Sequence, residues 1–600
     1  MFNATTIPTN LPTLCYNGRM NNREVAQTFA DIADMLAIRG DNIHRVLAYR
    51  RAAEAIQNLG QDVNQVYAAG KLTDIPGIGQ TLADKIAEML ATGRLSFYDQ
   101  LAQEVPPSLI DLLRVEGIGP KRAWQLYETL GVTNLAALKA AAQAGKLREL
   151  PKMGAKSEAK ILQGIAELEK YGDERTPLGE ALPLAAAILA ALEQVPGVTQ
   201  TAVAGSARRM RETVHDIDLL VAATDAAPVM DAFVTLPQVE AVSGRGATKA
   251  SVTLLNGLQV DLRVLPAERW GTLLLYFTGS KAHNVRLREL ALKQGLRLNE
   301  YGFTPVDGRP EILCATEEAA YQTLGLPYIL PTLREDRGEI EAALAGALPD
   351  VIRVEQIAGD LHTHTTWSDG KLSVLEMATA AKERGYQYIA ITDHSASLGI
   401  AHGLPVERLR QQAKEIRQAN EALGPDFRIL HGTEMEIKAD GTLDYPDEVL
   451  AELDFVIASL HVSLKQPREQ VTQRILNAIH NPYVDMIAHP TGRLIGERPP
   501  ADLDMEAILP AAAETGTILE LNANPRRLDL PDIYARRAME LGVKIAINTD
   551  AHNANQFDLL HFGVGVAQRG WATAADVVNA WPLAQLLAWL QEKPKNLTRR

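Results

Sequence analysis

The sequence predicts a multidomain chain of mixed class, helical at its N-terminal end, α+β in the middle and α/β towards the C-terminus. Three observations carry this. At 600 residues the chain exceeds what one hydrophobic core usually supports, about 100–200 residues. Ala- and Leu-rich amphipathic stretches dominate residues 21–170 and break at three related glycine turns. From Val354 onward, β-like apolar runs alternate with helical segments, the pattern of parallel strands joined by helices. The 46% hydrophobic and 22% charged composition is that of folded globular protein rather than a disordered chain.

Residues 1–20 lack a basic start followed by an apolar stretch, so they read as a disordered tail rather than a secretory leader, with Met20 an alternative start. No apolar run approaches the ~20 residues needed to span a bilayer. Two cysteines, Cys15 and Cys314, exclude a disulfide framework and fit a reducing cytoplasm. A monomer is the default expectation. Net charge is −14, and residues 360–600 (24 Lys+Arg, 32 Asp+Glu) and the remainder (36 and 42) are each mildly acidic. A global basic field for nucleic acid is therefore excluded, and any DNA contact has to come from backbone amides, helix N-termini and a few placed cations.

Within the helical part, expected as two subdomains over 21–98 and 99–174, the breaks are Ile75–Gly79, Val115–Gly119 and Leu150–Gly154. Gly77, Gly79, Gly117 and Gly119 permit tight turns that present backbone N–H groups at a helix N-terminus, a geometry suited to phosphate. The repeats resemble the helix-hairpin-helix motif of non-specific DNA binders.

Residues 175–265 and 266–335 read as mixed strands and helices. Asp216 and Asp218 stand two apart in a strand pattern and project from one face. Asp261 falls on the second strand of a hairpin with a predicted two-residue Asn256-Gly257 turn. Three such carboxylates could hold two Mg²⁺ or Mn²⁺ ions for phosphoryl transfer. Gly205-Ser206, ten residues upstream of Asp216 and after a strand-like run, offers amides and a hydroxyl to phosphate. Gly-Ser followed at this spacing by Asp-x-Asp resembles the nucleotidyltransferase superfamily. Tyr276-Phe-Thr-Gly-Ser-Lys-Ala-His-Asn-Val-Arg-Leu-Arg288 narrows the resemblance to family X DNA polymerases of the polymerase beta branch, and the likeness covers residues 41–310.

That resemblance implies a palm over 175–265 and a nucleotide-binding subdomain over 266–335. Gly205, Ser206, Arg209, Tyr276, Phe277, Gly279, Asn284 and Arg288 would bind the incoming dNTP and its surroundings. Tyr276 and Phe277 would line the sugar pocket, Asn284 would contact the base and Arg288 the template. Arg208 and Arg209 fall where the family contacts triphosphate, with Arg209 the preferred ligand. In the N-terminal part, Lys85 occupies the position of the family's Schiff-base nucleophile for 5′-deoxyribose phosphate removal. His44 and Arg45 would bind the 5′-phosphate of a gap. Thr81 departs from the family's vertebrate members, which carry lysine there.

Residues 336–356 are expected as a linker helix, followed by a C-terminal domain over 357–600. Ten of the thirteen histidines lie in residues 360–600, which suggests metal. His362, His364, Asp369, His394, Glu434, His461, His489, Asp550 and His552 are all read as lying at strand exits, after β-like runs such as Tyr388–Thr392, Phe427–Leu430, Asp454–Leu460, Val484–Ala488 and Val543–Ile547. In a barrel of parallel strands such positions converge on one rim. The series resembles the PHP (polymerase and histidinol phosphatase) family, whose fold is a distorted (β/α) barrel. By that resemblance His362, His364, Glu434 and Asp550 hold one metal, Glu434 bridges to a second with His461 and His489, and Asp369, His394 and His552 hold a third. Asp369 stands where family members often have histidine. All-N/O ligation suits Mn²⁺, Zn²⁺ or Fe²⁺, and the implied chemistry is hydrolysis of a phosphate ester by an activated water. Arg493 and Arg498 are candidates for holding substrate phosphates.

Together the resemblances imply a DNA repair enzyme acting on gapped or nicked DNA, with gap-filling polymerase and 3′→5′ exonuclease activities. They also admit AP-endonuclease, 3′-phosphatase and lyase action. Two other readings stay open on sequence alone: a nuclease whose polymerase region only grips DNA, and a polymerase with a metal-bound structural scaffold.

Overall fold

The computed structural model describes residues 20–115, 117–151, 153–171 and 175–592. The expected tail at 1–20 lies outside them apart from Met20, and so does Lys152 of the third glycine turn. The chain divides into two compact units, 1–173 and 174–600.

The first unit is helical: α1 (Asn22–Arg39), α2 (Ile43–Gln57), α3 (Val63–Ala68), α4 (Gln80–Thr92), α5 (Ser96–Glu104), α6 (Pro120–Leu130), α7 (Leu135–Gln143) and α8 (Ala155–Tyr171). Its core is built from one face of each helix, including Phe29, Ile32, Ile56, Ile86, Leu126 and Leu138. Two of the glycine turns share a geometry. Gly77 and Gly117 take φ of +82° and +88°, where a side chain would be strained, and Gly79 and Gly119 cap α4 and α6. In each turn an isoleucine amide closes back three residues, Ile78 to Ile75 and Ile118 to Val115, both at 3.0 Å. Those four apolar side chains are buried, which holds the glycine backbone outward.

The second unit begins with a palm: β1 (Thr176–Pro177), α9 (Leu178–Leu192), β2 (Val198–Val203), α10 (Gly205–Arg208), β3 (Thr213–Val214), β4 (Asp216–Ala223), α11 (Ala226–Val234), β5 (Val239–Arg245), β6 (Lys249–Leu254) and β7 (Gln259–Leu265). The main sheet has the order β2-β4-β7-β6-β5, with only β4 and β7 parallel. The β6–β7 hairpin is closed by three residues, Leu255–Gly257, rather than two. Leu254 bonds to Leu258 across its base, and Gly257 at φ +85° closes a turn onto Leu254. The extra residue satisfies the Leu254 carbonyl.

A small subdomain follows, with α12 (Trp270–Thr278), α13 (Lys281–Lys293), the hairpin β8 (Leu296–Leu298) and β9 (Phe303–Pro305), α14 (Glu317–Thr323) and α15 (Glu339–Leu344). The segment expected as a linker helix carries helix only over those six residues of α15, plus a short 3-10 turn at Val354–Gln356. Ile340, Ala343 and Val351 pack into the core of this subdomain, so burial rather than helix propensity shapes the segment.

The remainder alternates strand and helix: β10 (Gly359–Thr363), α16 (Val374–Glu383), β11 (Tyr388–Ile391), α17 (Val406–Leu423), β12 (Arg428–Glu436), α18 (Asp447–Leu450), β13 (Phe455–Ser459), α19 (Arg468–His480), β14 (Met486–Ile487), α20 (Met505–Thr515), β15 (Ile518–Asn522), α21 (Asp532–Glu540), β16 (Ile545–Asn548), α22 (Leu560–Arg569) and α23 (Leu583–Glu592). Seven parallel strands pair in sequence order, and a parallel bridge from Thr363 to Ala551 brings the two ends together in a nearly closed barrel. Every described residue of β13–β16 is buried, as expected for strands covered on both faces. One continuous apolar cluster runs from Ile188 and Leu262 of the palm to Ile391 and Leu521 of the barrel. No helix among the described residues is long and apolar enough to cross a membrane.

Candidate functional site

Two clusters of titratable groups stand apart in the second unit. In the palm, the parallel β4–β7 pairing sets Asp218 level with Asp261, and the two-residue period puts Asp216 on the same face. All three carboxylates are part-buried. Burial and the neighbouring Asp216 and Asp261 push the Asp218 carboxyl up to about 7. Burial also raises Asp216. Carboxylates crowded in this way favour a cation among them. Lys249 Nζ lies 3.0 Å from Asp261 Oδ2, and the Gln259 amide donates to Asp261 Oδ1 at 3.0 Å.

The loop leaving β2 closes over this face. Gly205 has φ +62°, and a Cβ there would lie 2.2 Å from Asp218 Oδ2, so only glycine fits. Ser206 follows in the single turn of α10. The two arginines expected near the triphosphate, Arg208 and Arg209, have different partners. Arg208 is bound by both oxygens of Glu317, at 2.9 and 2.6 Å, and donates to Thr278 Oγ1. Its guanidinium is a structural clamp between palm and the next subdomain. Arg209 donates Nε to Glu335 at 3.1 Å and Nη1 to the Thr278 carbonyl, while its Nη2 bonds to no described residue. The Arg209 charge also reaches Asp218.

Tyr276 and Phe277 end α12 with rings 5.5 Å apart, edge to face. The chain then turns at Gly279, φ +69°, whose missing Cβ would stand 3.1 Å from Arg209 Nη1. Asn284, one turn into α13, donates Nδ2 to the Tyr276 carbonyl at 2.7 Å. Arg288 lies one turn further on and is exposed. The residues expected to surround a nucleotide therefore lie on three elements and their flanking loops, α10, α12 and α13.

In the first unit, Lys85 is half-buried on α4 with its ammonium 4.2 Å from the centre of the Phe97 ring, and the Arg45 guanidinium lies 5.0 Å from the same ring. Burial, reinforced by Arg45, lowers the Lys85 pKa. His44 is exposed at the start of α2.

At one rim of the barrel, all nine expected ligands meet. Glu434 is their centre. Its Oε1 lies 3.0 Å from His489 Nε2 and 3.2 Å from His461 Nε2, and its Oε2 lies 2.9 Å from His394 Nδ1, 3.4 Å from His362 Nε2 and 3.5 Å from His364 Nε2. Asp550 Oδ1 is 3.1 Å from His364 Nε2 and 3.5 Å from His362 Nε2. Asp369 stands 3.3 Å from His552 and 3.6 Å from His394. Four sets of donor atoms lie close enough to share an ion: His364, Asp369, His394 and His552; His362, His489 and Asp550; His362, His364 and Glu434; His394, Glu434 and His461. His489 and Asp550 both hold positive φ, 26° and 55°, a backbone strain of the kind that collects at functional sites.

Unpaired atoms test whether this cluster fits divalent cations. His362 Nε2, both ring nitrogens of His364 and His489 Nδ1 are buried without a hydrogen-bond partner. Burial and the adjacent His552 and His394 press the His364 pKa down to about 3, so that ring is neutral, with a lone pair to offer. Orphaned imidazole lone pairs among ionised carboxylates are the donor set of a divalent metal site.

The sequence reading missed the groups that aim these rings. His362 Nδ1 lies 2.8 Å from Glu520 Oε1, His461 Nδ1 2.8 Å from Glu436 Oε2, and His552 Nδ1 2.8 Å from the Asp550 carbonyl. Each acceptor takes an Nδ1 proton and leaves Nε2 facing the cluster. A buried glutamate inside an apolar strand was the available clue for Glu520, since an ionised carboxylate is rarely buried without a partner. Arg493 proves to be a domain clamp, holding both oxygens of Glu212 at 3.0 and 2.6 Å. Arg527 was unforeseen, because it lies on a loop. Its Nε stands 3.8 Å from Asp550, and its Nη1 is buried without a partner. Its charge bears on both His489 and Arg498.

Comparison with known proteins agrees with this geometry. Residues 20–95 match a helix-hairpin-helix domain, 109–167 a SAM-like helix-hairpin-helix tandem, 273–335 the DNA polymerase beta thumb and 360–524 the PHP domain. The "DNA polymerase/3'-5' exonuclease PolX" of Bacillus subtilis (strain 168) is 42% identical over 574 residues, 95% of this chain and 100% of that protein. A "Probable phosphatase" of Thermoanaerobacter sp. (strain X514) is 33% identical over 250 residues, 40% of this chain and 96% of its own. Another from Caldanaerobacter subterraneus subsp. tengcongensis is 37% identical over 205 residues, 32% and 75% of the two chains. With likeness running through both units and both clusters, the chain belongs to the PolX family, the bacterial family X DNA polymerases that carry a C-terminal PHP domain.

Proposed function

We propose that this chain is a DNA-directed DNA polymerase that fills short gaps and a 3′→5′ exonuclease that trims the same ends, acting as a monomer in base excision repair. The observation that carries the reading is the presence of two separate clusters of potential metal ligands in one chain, Asp216, Asp218 and Asp261 on adjacent strands and a nine-residue His and carboxylate cluster centred on Glu434. Divalent cations, two Mg²⁺ or Mn²⁺ in the palm and three Mn²⁺ or Zn²⁺ in the barrel, supply Lewis acidity that activates the attacking oxygen and offsets phosphate charge.

The protein's own groups do the rest. Gly205 and Ser206 bring backbone close to the triphosphate, and the unengaged Nη2 of Arg209 donates to it. Tyr276 and Phe277 bound the sugar, Gly279 gives Arg209 room, Asn284 meets the base and Arg288 the template. In the barrel, Glu520 and Glu436 fix which nitrogen of His362 and His461 faces the centre. Arg527, with Arg498 beside it, binds non-bridging oxygens of the scissile phosphate. Gly77, Gly79, Gly117 and Gly119 hold the DNA backbone, while His44 and Arg45 face a 5′-phosphate. The lowered pKa of Lys85 supports a lyase role, since Schiff-base formation needs the neutral amine. Tethering both activities to one DNA-holding chain raises the local concentration of ends at the barrel.

The test is a denaturing-gel assay on a 5′-phosphorylated one-nucleotide gap with Mn²⁺, with and without dNTPs. Extension with dNTPs and shortening without them are expected. Asp216→Ala removes extension alone, and His362→Ala with His364→Ala removes shortening alone. Shortening without any extension in the unaltered protein would reduce the palm to a DNA grip. Extension without shortening would make the nine-residue cluster a scaffold.

A further inference from the structure

The barrel makes contact with the nucleotide loop of the palm through α22, a helix that carries none of its metal ligands. After α10 the chain reaches Met210, which takes φ 55° and presses on α22. A Cβ at Gly565 of α22 would fall 2.6 Å from the Met210 side chain, so the helix can approach this closely only with glycine there. One helical turn further along the same face comes Arg569, only 2% exposed. Its Nη1 donates to the Arg209 carbonyl at 2.9 Å and to Glu335 Oε1 at 2.7 Å, and its Nη2 lies 2.9 Å from Asp532.

Glu335 is the shared element. The same Oε1 that receives Arg569 also receives Arg209 Nε at 3.1 Å. The two guanidinium groups hold its carboxyl well down, at about 2, so it is ionised. Arg209 is thereby fixed on two sides, by Glu335 and by the Thr278 carbonyl, with Nη2 left over. Buried ions need full complements of partners, and removing one partner forces the others to rearrange. Without Arg569, Glu335 has Arg209 as its remaining guanidinium donor in this set and would draw it away from the nucleotide side.

We propose that Arg569 of the barrel is a positioning residue for the polymerase reaction, holding Glu335 and through it aiming the Arg209 guanidinium at the incoming triphosphate. The inference rests on the reading of Arg209 as the triphosphate ligand. It makes the barrel a structural part of the nucleotide site, separate from any hydrolysis at its own rim. Arg569 touches neither substrate nor metal ligand, so the effect falls on nucleotide binding rather than on the chemical step.

The experiment measures KM for dNTP and kcat in single-nucleotide gap filling by the full chain, for Arg569→Met, Arg569→Lys, Glu335→Gln and Arg209→Ala. Exonuclease activity on single-stranded DNA serves as the readout that the barrel is folded and loaded. Arg569→Met should raise KM for dNTP about tenfold, with kcat within about twofold and exonuclease activity unchanged, a misplacement cost well inside what positioning can contribute. Arg569→Lys should recover part of the loss. Unchanged KM in Arg569→Met with exonuclease intact overturns the proposal. Should Arg569→Met lose both activities, Glu335→Gln decides, because it removes the charge and keeps the shape: raised KM supports the relay, and unchanged KM overturns it. If Arg209→Ala itself leaves KM unchanged, the reading of Arg209 falls and the inference falls with it.

Discussion

Replacing Glu520 by glutamine tests the metal cluster without touching a ligand. Glu520 is fully buried and accepts four donors: His362 Nδ1 at 2.8 Å and Asn548 Nδ2 at 3.0 Å on one oxygen, the His489 amide at 2.7 Å and Asn522 Nδ2 at 3.3 Å on the other. Glutamine has the same shape but replaces one oxygen by an NH₂. With the NH₂ toward the His489 amide, two donors collide. With it toward His362, the ring has to accept at Nδ1, its proton moves to Nε2, and the lone pair aimed at the cluster is lost. Either way a hydrogen bond to a charged group disappears, about 1.5–3 kcal/mol. Loss of such an orienting partner weakens metal affinity by about 10–100-fold, or about 1.4–2.8 kcal/mol, so the two estimates agree. The assay is exonuclease rate on a 5′-labelled single strand against Mn²⁺ concentration, with gap-filling extension as a control. The half-saturating Mn²⁺ should rise about 10–100-fold while extension stays as before. An unmoved Mn²⁺ midpoint would refute the claim that the Glu520 carboxylate supports the metal cluster.

Three further outcomes follow from the geometry. Gly205→Ala should abolish extension and spare the exonuclease, because its Cβ would meet the Asp218 carboxylate at 2.2 Å; the two rates measured side by side decide. Proton and cation should compete at Asp218: its raised pKa of about 7 leaves it protonated below that pH. The Mg²⁺ concentration needed for half-maximal extension should then rise about tenfold between pH 8 and pH 6, and a flat Mg²⁺ requirement would count against it. Arg527→Met should slow exonuclease turnover on DNA by about tenfold or more, the worth of one charged contact to a phosphate, with metal content unchanged by elemental analysis. An unchanged rate would return Arg527 to a structural role.

Much of this protein could be read from sequence because its signals are local. Two-residue spacing put Asp216 and Asp218 on one face, and strand-exit positions gathered nine ligands from six separate segments, since a parallel barrel sends every such position to one rim. Of the three glycine turns read from sequence, two share the same positive-φ geometry at Gly77 and Gly117, a requirement written in the residue type itself. What only the tertiary structure decided were partnerships between distant residues. Arg208, Arg209 and Arg493 look alike in sequence, yet Glu317 and Glu212 consume two of them and the third keeps a donor free. Glu520 and Arg527 lack a motif of their own, and their roles come from lying beside His362 and Asp550. The reason is physical: backbone conformation and side-chain facing depend on neighbours a few positions away, whereas the pairing of a buried charge depends on which residue, anywhere in the chain, packing brings within 3 Å.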